Sequence, residues 1–260
     1  MNSTTYYVKT SVGRFRVKKT DTHLRVGGKR FCVEIRFGDP LELQWLITKD
    51  GGCELDDKPI QGSATVHLLN LSFTLLKLYT NVKSITFLDN SKFDCLLDNR
   101  SSVTIFMNKY YYLFHGGTWY DINTGAVPID ETQRLLYNET KPLYTESSIK
   151  KPFDFKNPSL QKELGPIYEG SATWKEFADS LHEKYDRESL CGKIAPWYLS
   201  AVAELTRNRM LPEYWIIDIS SAPTIPFTQI PTFQTGGRTR KYFRKKDIYT
   251  MLSPGELYDI

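Results

Sequence analysis

The sequence predicts an α/β (α+β) fold in which a mixed sheet is packed by a buried helix, followed by a small helical addition and an extended basic C-terminal arm. Short, partly alternating apolar runs typical of strands fill residues 6–37. The apolar segment 63–79 comes next and is too long for an ordinary strand. A further strand-like run, 82–88, follows directly, and this order of elements is typical of an α/β layer.

Length and composition exclude several classes of protein. The chain has 260 residues, of which 40% are hydrophobic and 25% charged, values that exclude wholesale disorder. No apolar stretch approaches the ~20 residues of a membrane-spanning helix. Residues 1–10 show no basic segment followed by an apolar one, so we expect no secretory signal. These observations predict a cytoplasmic or nuclear protein, or one on the cytoplasmic side of an assembling particle.

The cysteine and histidine residues show no motif. Cys32, Cys53, Cys95 and Cys191 are widely spaced and form no C-x-x-C pair. Two bridges are possible, but a domain of this size does not need them, so we expect structural or incidental thiols. The four histidines are isolated too, and we predict no metal site.

Strand patterns dominate the first third of the chain. Five strands are predicted within residues 6–48, and they are separated by glycine-containing turns such as Gly27-Gly28. In segment 63–79 the polar residues recur every three or four positions, which makes one narrow polar stripe on a helix that is otherwise apolar. Such a helix is expected to be buried on most sides.

The second half is predicted to be mostly helical. Residues 103–107 are strand-like, and 110–114 are ambiguous between strand and helix. Residues 136–170 contain four prolines, which predict an irregular connection. Thr173 and Glu176 have the spacing of a capping box at the start of a helix. Pro196 suits the start of a second helix, and residues 215–219 are strand-like. We therefore predict a first domain over 1–135, the connection over 136–170, a helical unit over 171–221 and an arm over 222–260.

Charge is distributed unevenly along the chain. Residues 1–37 contain nine Lys/Arg and two acids, whereas residues 38–99 carry a net negative charge. Residues 236–246 carry six basic side chains and no acid: Arg238, Arg240, Lys241, Arg244, Lys245 and Lys246. Such ends attract polyanions. In the first segment, the alternation of Arg14, Arg16 and Lys18 with apolar residues fits equally a solvated strand face.

One loop carries candidate chemistry. Sequence motifs of P-loops, dinucleotide-binding folds, serine hydrolases and zinc proteases are absent. The polar loop 57–65 enters the apolar helix, and the unpaired N–H groups at a helix start suit an anion such as a pyrophosphate. Gly62 allows close approach of a ligand, and Ser63 or Thr65 adds a hydroxyl group. The alternative is an ordinary loop in which Ser63 is the N-cap.

The order of these elements resembles the GNAT N-acyltransferase superfamily over about residues 30–130. The resemblance lies in a strand, then Gly62-Ser63-Ala64 opening a helix, a strand ending at 89–91, and later Thr118-Trp119-Tyr120 before Gly125-Ala126. It implies that acetyl-CoA or another acyl-CoA binds through its pyrophosphate to Gln61, Gly62, Ser63, Ala64 and Thr65. It also implies Tyr120 as the acid that protonates the leaving thiolate. Glu54 is the candidate base, acting through water.

The wider sequence pattern resembles proteins of large DNA viruses, through the Gly-Thr-Trp-Tyr turn and the Gly-Gly-Arg-Thr-Arg-Lys segment. This resemblance implies a location in the cytoplasm or nucleus of a host cell, or in the virion. Two alternatives to acyl transfer stay open. One is a non-catalytic structural protein that contacts capsid or other virion proteins through residues 222–260. The other is a nucleic-acid-binding module that uses the two basic ends, with exposed tyrosines for stacking.

Overall fold

The computed structural model describes residues 3–46, 53–55, 58–60, 62–96, 102–146, 149 and 152–230. The chain divides into two compact units. The first unit contains Met1–Phe87 and Asp218–Ile260, and the second contains Leu88–Ile217. Both helices and strands are present, and parallel and antiparallel strand pairs occur together. The predicted mixed α/β (α+β) class is thereby confirmed.

The secondary-structure elements follow one another along the chain. They are β1 (Ser3–Lys9), β2 (Arg14–Thr20), β3 (His23–Gly27), β4 (Phe31–Arg36), β5 (Glu42–Leu46), β6 (Glu54–Leu55), β7 (Lys58–Pro59), α1 (Ser63–Tyr79), β8 (Ser84–Leu88), β9 (Lys92–Leu96), β10 (Ser102–Phe106), α2 (Met107–His115), α3 (Trp119–Thr124), β11 (Val127–Pro128), α4 (Glu131–Thr140), α5 (Leu143–Glu146), α6 (Pro158–Gly170), α7 (Trp174–Lys184), α8 (Arg187–Ile194), α9 (Tyr198–Leu205), β12 (Tyr214–Asp218) and β13 (Thr228–Ile230).

The sheet of the first unit has the order β8-β5-β4-β3-β2-β1-β13. Strands β1 to β4 each pair antiparallel with the next strand along the chain. Strand β8 then pairs parallel with β5, with Glu42 opposite Thr86. At the other end β13 pairs antiparallel with β1, with Tyr7 opposite Ile230. Helix α1 connects the two parallel strands β5 and β8, as a parallel pair requires a crossover.

Helix α1 and one face of the sheet form the core of the first unit. The helix packs against β3 and β4. Alternate residues of the strands, such as Phe15, Val17 and Leu24, are fully buried on this inner face. The predicted burial of α1 on most sides is confirmed by its buried side chains: Thr65, Leu68, Leu69, Leu71, Ser72, Phe73, Thr74, Leu75 and Leu76. Burial of each leucine or phenylalanine stabilises the fold by roughly 1.5–3 kcal/mol.

The polar stripe of α1 binds the start of the predicted C-terminal arm. The Lys77 Nζ donates to the Ala222 carbonyl at 3.0 Å, and the Ile225 N–H donates to Thr74 Oγ1 at 2.9 Å. A few residues later the chain pairs with β1 as β13. Residues 222–230 therefore lie on the first unit and share its sheet, whereas residues 231–260 lie outside the described residues.

The second unit is built from short helices around an aromatic core. The ambiguous segment 110–114 belongs to α2, which packs against α7 and α9. The aromatic core consists of Phe153, Phe155, Tyr168, Trp174, Phe177 and Trp197. Strands β9 and β10 form a hairpin, and β11 pairs antiparallel with β12. The capping box is confirmed, because Thr173 accepts from the Glu176 N–H and Glu176 accepts from the Ala172 N–H.

The prediction of an irregular connection over 136–170 is wrong for much of its length, since α4, α5 and α6 cover most of the described residues there. The prolines are compatible with helices because of where they stand. Pro158 is the first residue of α6, where its missing N–H is not needed, and Asn157 caps that helix. Pro142 lies just before α5, and Pro166 is the exception inside α6.

The expectation of free thiols is also wrong, because two disulfides are present. Cys32 of β4 is bonded to Cys53, and Cys95 of β9 is bonded to Cys191 of α8. In both pairs the Cα atoms are 5.5 Å apart, a usual separation for a bridge. The sequence separation did not reveal the pairing because only the fold brings these residues together. No helix among the described residues has both the length and the apolar character to span a bilayer.

Removal of either disulfide is expected to destabilise the protein by an amount that follows the length of the closed loop. The Cys32–Cys53 bridge spans 21 residues and the Cys95–Cys191 bridge 96. Loop-closure entropy gives about 3 kcal/mol for the shorter loop and about 5 kcal/mol for the longer one. Denaturant unfolding of Cys32→Ala/Cys53→Ala and Cys95→Ala/Cys191→Ala measures both values under non-reducing conditions. Four reactive thiols in the folded, unreduced protein would contradict the pairing.

Candidate functional site

Helix α1 begins immediately after a glycine in an unusual conformation. Gly62 has φ 57° and ψ −129°, a region that residues with a Cβ atom rarely adopt. A Cβ atom built on Gly62 would meet nothing within 4 Å. The glycine is therefore required by the backbone and not by a crowded neighbour. The space on that side of the helix start is open.

The start of α1 carries no capping side chain. Gly62 is the N-cap, so the alternative prediction of Ser63 as the N-cap is wrong, and Ser63 is the first helical residue. The Gly62 carbonyl accepts from the N–H groups of Thr65 and Val66 at 3.0 and 3.4 Å. The amides of Ser63 and Ala64 donate to no group among the described residues. The first turn contains no acidic residue. This end of the helix dipole therefore keeps its partial positive charge.

Thr65 contributes a second feature to the first turn. It is 3% exposed, and its Oγ1 atom has no hydrogen-bond partner among the described residues. A buried hydroxyl group without a partner costs free energy, which a ligand oxygen placed beside it would recover. Ser63 is exposed and Ala64 half-buried. The side chains of this turn are therefore small and partly accessible.

The sheet places the start of α1 at the edge where ligands bind in other α/β folds. Because α1 connects β5 to the parallel strand β8, it starts from the carboxyl end of β5. Among the described residues the amino end of β5 pairs with the middle of β8, where Thr86 donates to the Leu41 carbonyl through both its N–H and its hydroxyl group. A ligand at this edge meets the ends of two strands and the start of one helix.

A disulfide holds the segment that leads to α1. Cys53 is bonded to Cys32, and the Ile60 N–H donates to the Cys53 carbonyl at 2.9 Å. The carbonyl of Glu54 lies against Gly28, where a Cβ atom would come within 1.8 Å of that oxygen. Gly28 and the disulfide thus position the loop. The Gly27-Gly28 pair is the sequence signal for this close approach of Glu54 to Gly28. The turn predicted from the pair accounts for the end of a strand but not for this contact.

The predicted catalytic residues lie in different units. Glu54 is half-buried in β6 of the first unit, whereas Tyr120 belongs to α3 of the second. Tyr120 is 8% exposed. Burial, and then the negative charge of Asp89, raise the pKa of Tyr120 well above its ordinary value. Its phenol is therefore protonated at neutral pH. The structure brings Gly62, Ser63, Ala64 and Thr65 together, whereas Gln61 lies outside the described residues.

The other predicted binding groups and a surface depression add nothing to this site. The basic residues Arg238, Arg240, Lys241, Arg244, Lys245 and Lys246 lie outside the described residues. Within the described ranges, no three His, Cys, Asp or Glu side chains converge on a possible metal site. The depression in the second unit between Tyr137 and Arg209 is too shallow to enclose a water molecule. Ligand pockets are usually larger than about 300 Å³.

Comparison of the chain with protein-family models, curated proteins and solved structures finds no match.

His67 lies one turn further along α1 and is a structural residue of the same helix. Its Nε2 atom is 3.0 Å from the Thr10 hydroxyl oxygen, and its ring stacks against Phe15 at a centroid distance of 6.1 Å. Burial lowers the pKa of His67 below its ordinary value of 6.5. The folded state therefore favours the neutral imidazole.

Substitution of Gly62 by alanine is expected to destabilise the protein by about 1–3 kcal/mol, because alanine is strained at this backbone conformation although it has space. Gly170, the last residue of α6, is the matched control. A Cβ atom there also meets nothing within 4 Å, and its φ angle lies outside the positive range. Gly170→Ala is expected to be neutral or stabilising by up to about 1 kcal/mol. Equal effects of the two changes in denaturant unfolding would contradict this explanation of Gly62.

Acidification through pH 6.5 is expected to destabilise the fold through His67. Because its pKa is lowered in the folded state, the unfolded chain takes up the proton first as the pH falls. The stabilisation is complete above about pH 6.5 and is lost below it. His67→Gln keeps a side chain that can bond to Thr10 but does not titrate. Unfolding free energies at pH 7.5 and 5.5 should therefore differ less in His67→Gln than in the unchanged chain, and an equal difference would be evidence against this role.

Proposed function

We propose that the chain binds an acyl-CoA at the start of α1 and transfers the acyl group to an amine, in the manner of a GNAT-like N-acyltransferase. The observation that carries the proposal is the uncapped start of α1. There Gly62 turns the chain with open space beside it, and no acidic side chain opposes an anion. Coenzyme A has a pyrophosphate, which is the kind of anion that helix N-termini bind through backbone N–H groups.

The residues at this position fit a pyrophosphate. The N–H groups of Ser63 and Ala64 have no acceptor among the described residues, and the Thr65 hydroxyl group is buried without a partner. Phosphate oxygens accept hydrogen bonds from groups of both kinds. Gln61 precedes them in sequence and is part of the proposed binding loop.

The strand arrangement gives independent support. Helix α1 connects the parallel strands β5 and β8, which pair at Glu42 and Thr86. The antiparallel strands β1 to β4 precede them in order along the sheet. In open sheets that contain parallel strands, ligands bind outside the carboxyl ends of those strands.

The transfer step needs an acid and a base. The amine nitrogen attacks the thioester carbonyl, the carbon–sulfur bond breaks, and the thiolate takes a proton. The resemblance implies Tyr120 for that proton, but Tyr120 belongs to the other unit and burial raises its pKa, which weakens it as an acid, so we assign the proton to solvent water. We assign removal of the proton of the amine to Glu54, acting through a water molecule. Acetyl-CoA is the simplest acyl donor for these assignments.

A structural role in a virion is the second candidate, and the two disulfides favour it. Disulfides persist in oxidising surroundings, which include virion surfaces, and they are rare in the cytosol and nucleus. Among the locations predicted from the sequence, they favour the particle over the host cytoplasm or nucleus. In this role residues 222–260 would contact capsid or other virion proteins, starting from the edge strand β13.

Thermal unfolding with three ligands tests the acyl-CoA proposal. Acetyl-CoA and CoA at about 100 times their dissociation constant are expected to stabilise the protein by about 2.7 kcal/mol, because they bind the native state alone. Pantetheine, which lacks the pyrophosphate, is expected to give no shift. No shift with millimolar acetyl-CoA, or an equal shift with pantetheine, would overturn the proposal.

Two threonines of α1 provide matched variants. Thr65→Val removes a hydroxyl group that has no partner, so it should leave the unliganded protein as stable as before while reducing the shift with CoA. Thr74→Val removes a hydroxyl group that donates to Asn70 and accepts from Ile225. It should destabilise the protein by about 1 kcal/mol and leave the shift with CoA unchanged. Glu54→Gln then separates catalysis from binding, because it should slow transfer about 100-fold or more with the shift retained.

A further inference from the structure

The outer face of the first sheet, opposite α1, is strongly basic. Alternation along β1, β2 and β3 points the buried residues towards α1 and the next residues away from it. The side chains that point away along neighbouring strands include five cations and one aromatic ring: Lys9, Arg14, Arg16, Lys18, Arg25 and Tyr7. We call these six residues the basic sheet face.

The strand register brings the members of the basic sheet face together. Lys9 lies opposite Arg14, and Tyr7 lies opposite Arg16. Lys18 lies between Thr5 on β1 and Arg25 on β3. Residues two apart on one strand are about 7 Å apart, and neighbouring strands are about 4.8 Å apart. The cations therefore form a continuous patch.

Most of these charges are not neutralised. Lys9, Arg14, Arg16 and Lys18 form no ion pair with any described residue. Arg25 is the exception, because it is paired with Glu34. Glu34 is 7% exposed, so its own charge is largely covered. A patch of like charges without acidic partners attracts a polyanion.

Two guanidinium groups lie over aromatic rings at this face. Arg14 lies over the Tyr7 ring and Arg16 over the Phe31 ring, each with its guanidinium carbon 4.1 Å from the ring centroid. The Arg16 Nη2 atom also donates to the Lys29 carbonyl at 3.1 Å, while its Nε atom is buried without an acceptor among the described residues. The planar groups are thus held in place, and one donor of Arg16 is unused.

We propose that the basic sheet face binds single-stranded nucleic acid. Cations spaced along β2 at regular intervals suit the successive phosphates of an extended strand, and arginine groups beside aromatic rings suit unstacked bases. An acidic peptide would pair with the cations but has no bases to stack on the arginine and aromatic groups. A duplex keeps its bases stacked inside, away from a sheet face. This site is independent of the proposed acyl transfer.

The last described strand, β13, lies next to β1, which is one of the strands of this face. Strand β13 pairs with β1 and ends at Ile230, and the basic run 236–246 starts six residues later in the sequence. Six residues span at most about 20 Å, so the start of this run lies no farther than that from Ile230. The experiment therefore has to distinguish binding by the face from binding by the run.

Fluorescence anisotropy of a labelled oligothymidylate with the full chain tests the proposal. Engagement of Lys9, Arg14, Arg16 and Lys18 predicts that log K falls with log[salt] with a slope of roughly −3. Arg14→Gln/Lys18→Gln removes two of these cations and should weaken binding roughly tenfold at low salt and reduce the slope by about 1.4. Lys162→Gln/Lys184→Gln makes the same change of charge on exposed side chains of the second unit, and should alter neither the affinity nor the slope.

Two further variants complete the experiment. Arg14→Lys/Lys18→Arg keeps both charges but removes the planar group of Arg14, so it should lose part of the affinity and keep the salt slope of the unchanged chain. An unchanged slope shows that charge and not misfolding explains the lower slope of Arg14→Gln/Lys18→Gln. A chain in which the six basic residues of 236–246 are changed to glutamine should still bind, and adding Arg14→Gln/Lys18→Gln should weaken the binding that remains.

Four results would overturn the proposal. They are loss of all binding when the basic run alone is neutralised, unchanged affinity in Arg14→Gln/Lys18→Gln, equal affinity for a duplex of the same length, and equally effective displacement by polyglutamate.

Discussion

The packing of α1 against β3 and β4 is the constraint on which the rest of the first unit depends. It assigns an inside and an outside to every strand, because side chains alternate with a period of two and a shift by one residue would exchange the two faces. With Phe15 and Val17 buried against the helix, Arg14, Arg16 and Lys18 have to lie on the other face. The helix that forms the core therefore also creates the basic sheet face.

The same helix fixes where an anion is able to bind. Its apolar sides are buried, its polar stripe is used by Thr74 and Lys77 to hold the chain near residues 222–225, and its start is left without a cap. Gly62 makes this open start possible because it adopts a conformation that other residues avoid. The Cys32–Cys53 bridge and the close contact at Gly28 hold the preceding loop in position. Helix α1 therefore both stabilises the first unit and carries the proposed ligand site. At that site the amides of Ser63 and Ala64 and the Thr65 hydroxyl group have no partner among the described residues.

The strength of each sequence pattern explains how much of the fold it predicted. The helix over 63–79 has the bounds that the spacing of its polar residues indicated, because a long apolar segment with period 3.6 has few alternatives. The strand over 82–88 and the capping box at Thr173 were likewise predictable from local chemistry. The helices over 136–170 were missed because proline was counted as a helix breaker regardless of position, although Pro158 stands where a helix tolerates it best.

The sequence by itself determined the strand faces, the buried helix and the small, acid-free turn at its start, since each follows from local periodicity and the conformational freedom of glycine. Tertiary structure alone decided that Cys32 meets Cys53, that Tyr120 and Gly62 belong to different units, and that the charges of β1, β2 and β3 form one patch. The physical reason is that pairing of distant segments depends on register and packing, which local patterns do not encode. Hydrogen-bond partners are decided in the same way: Thr74 has two, whereas the Thr65 hydroxyl group has none within the part of the chain that the structure describes.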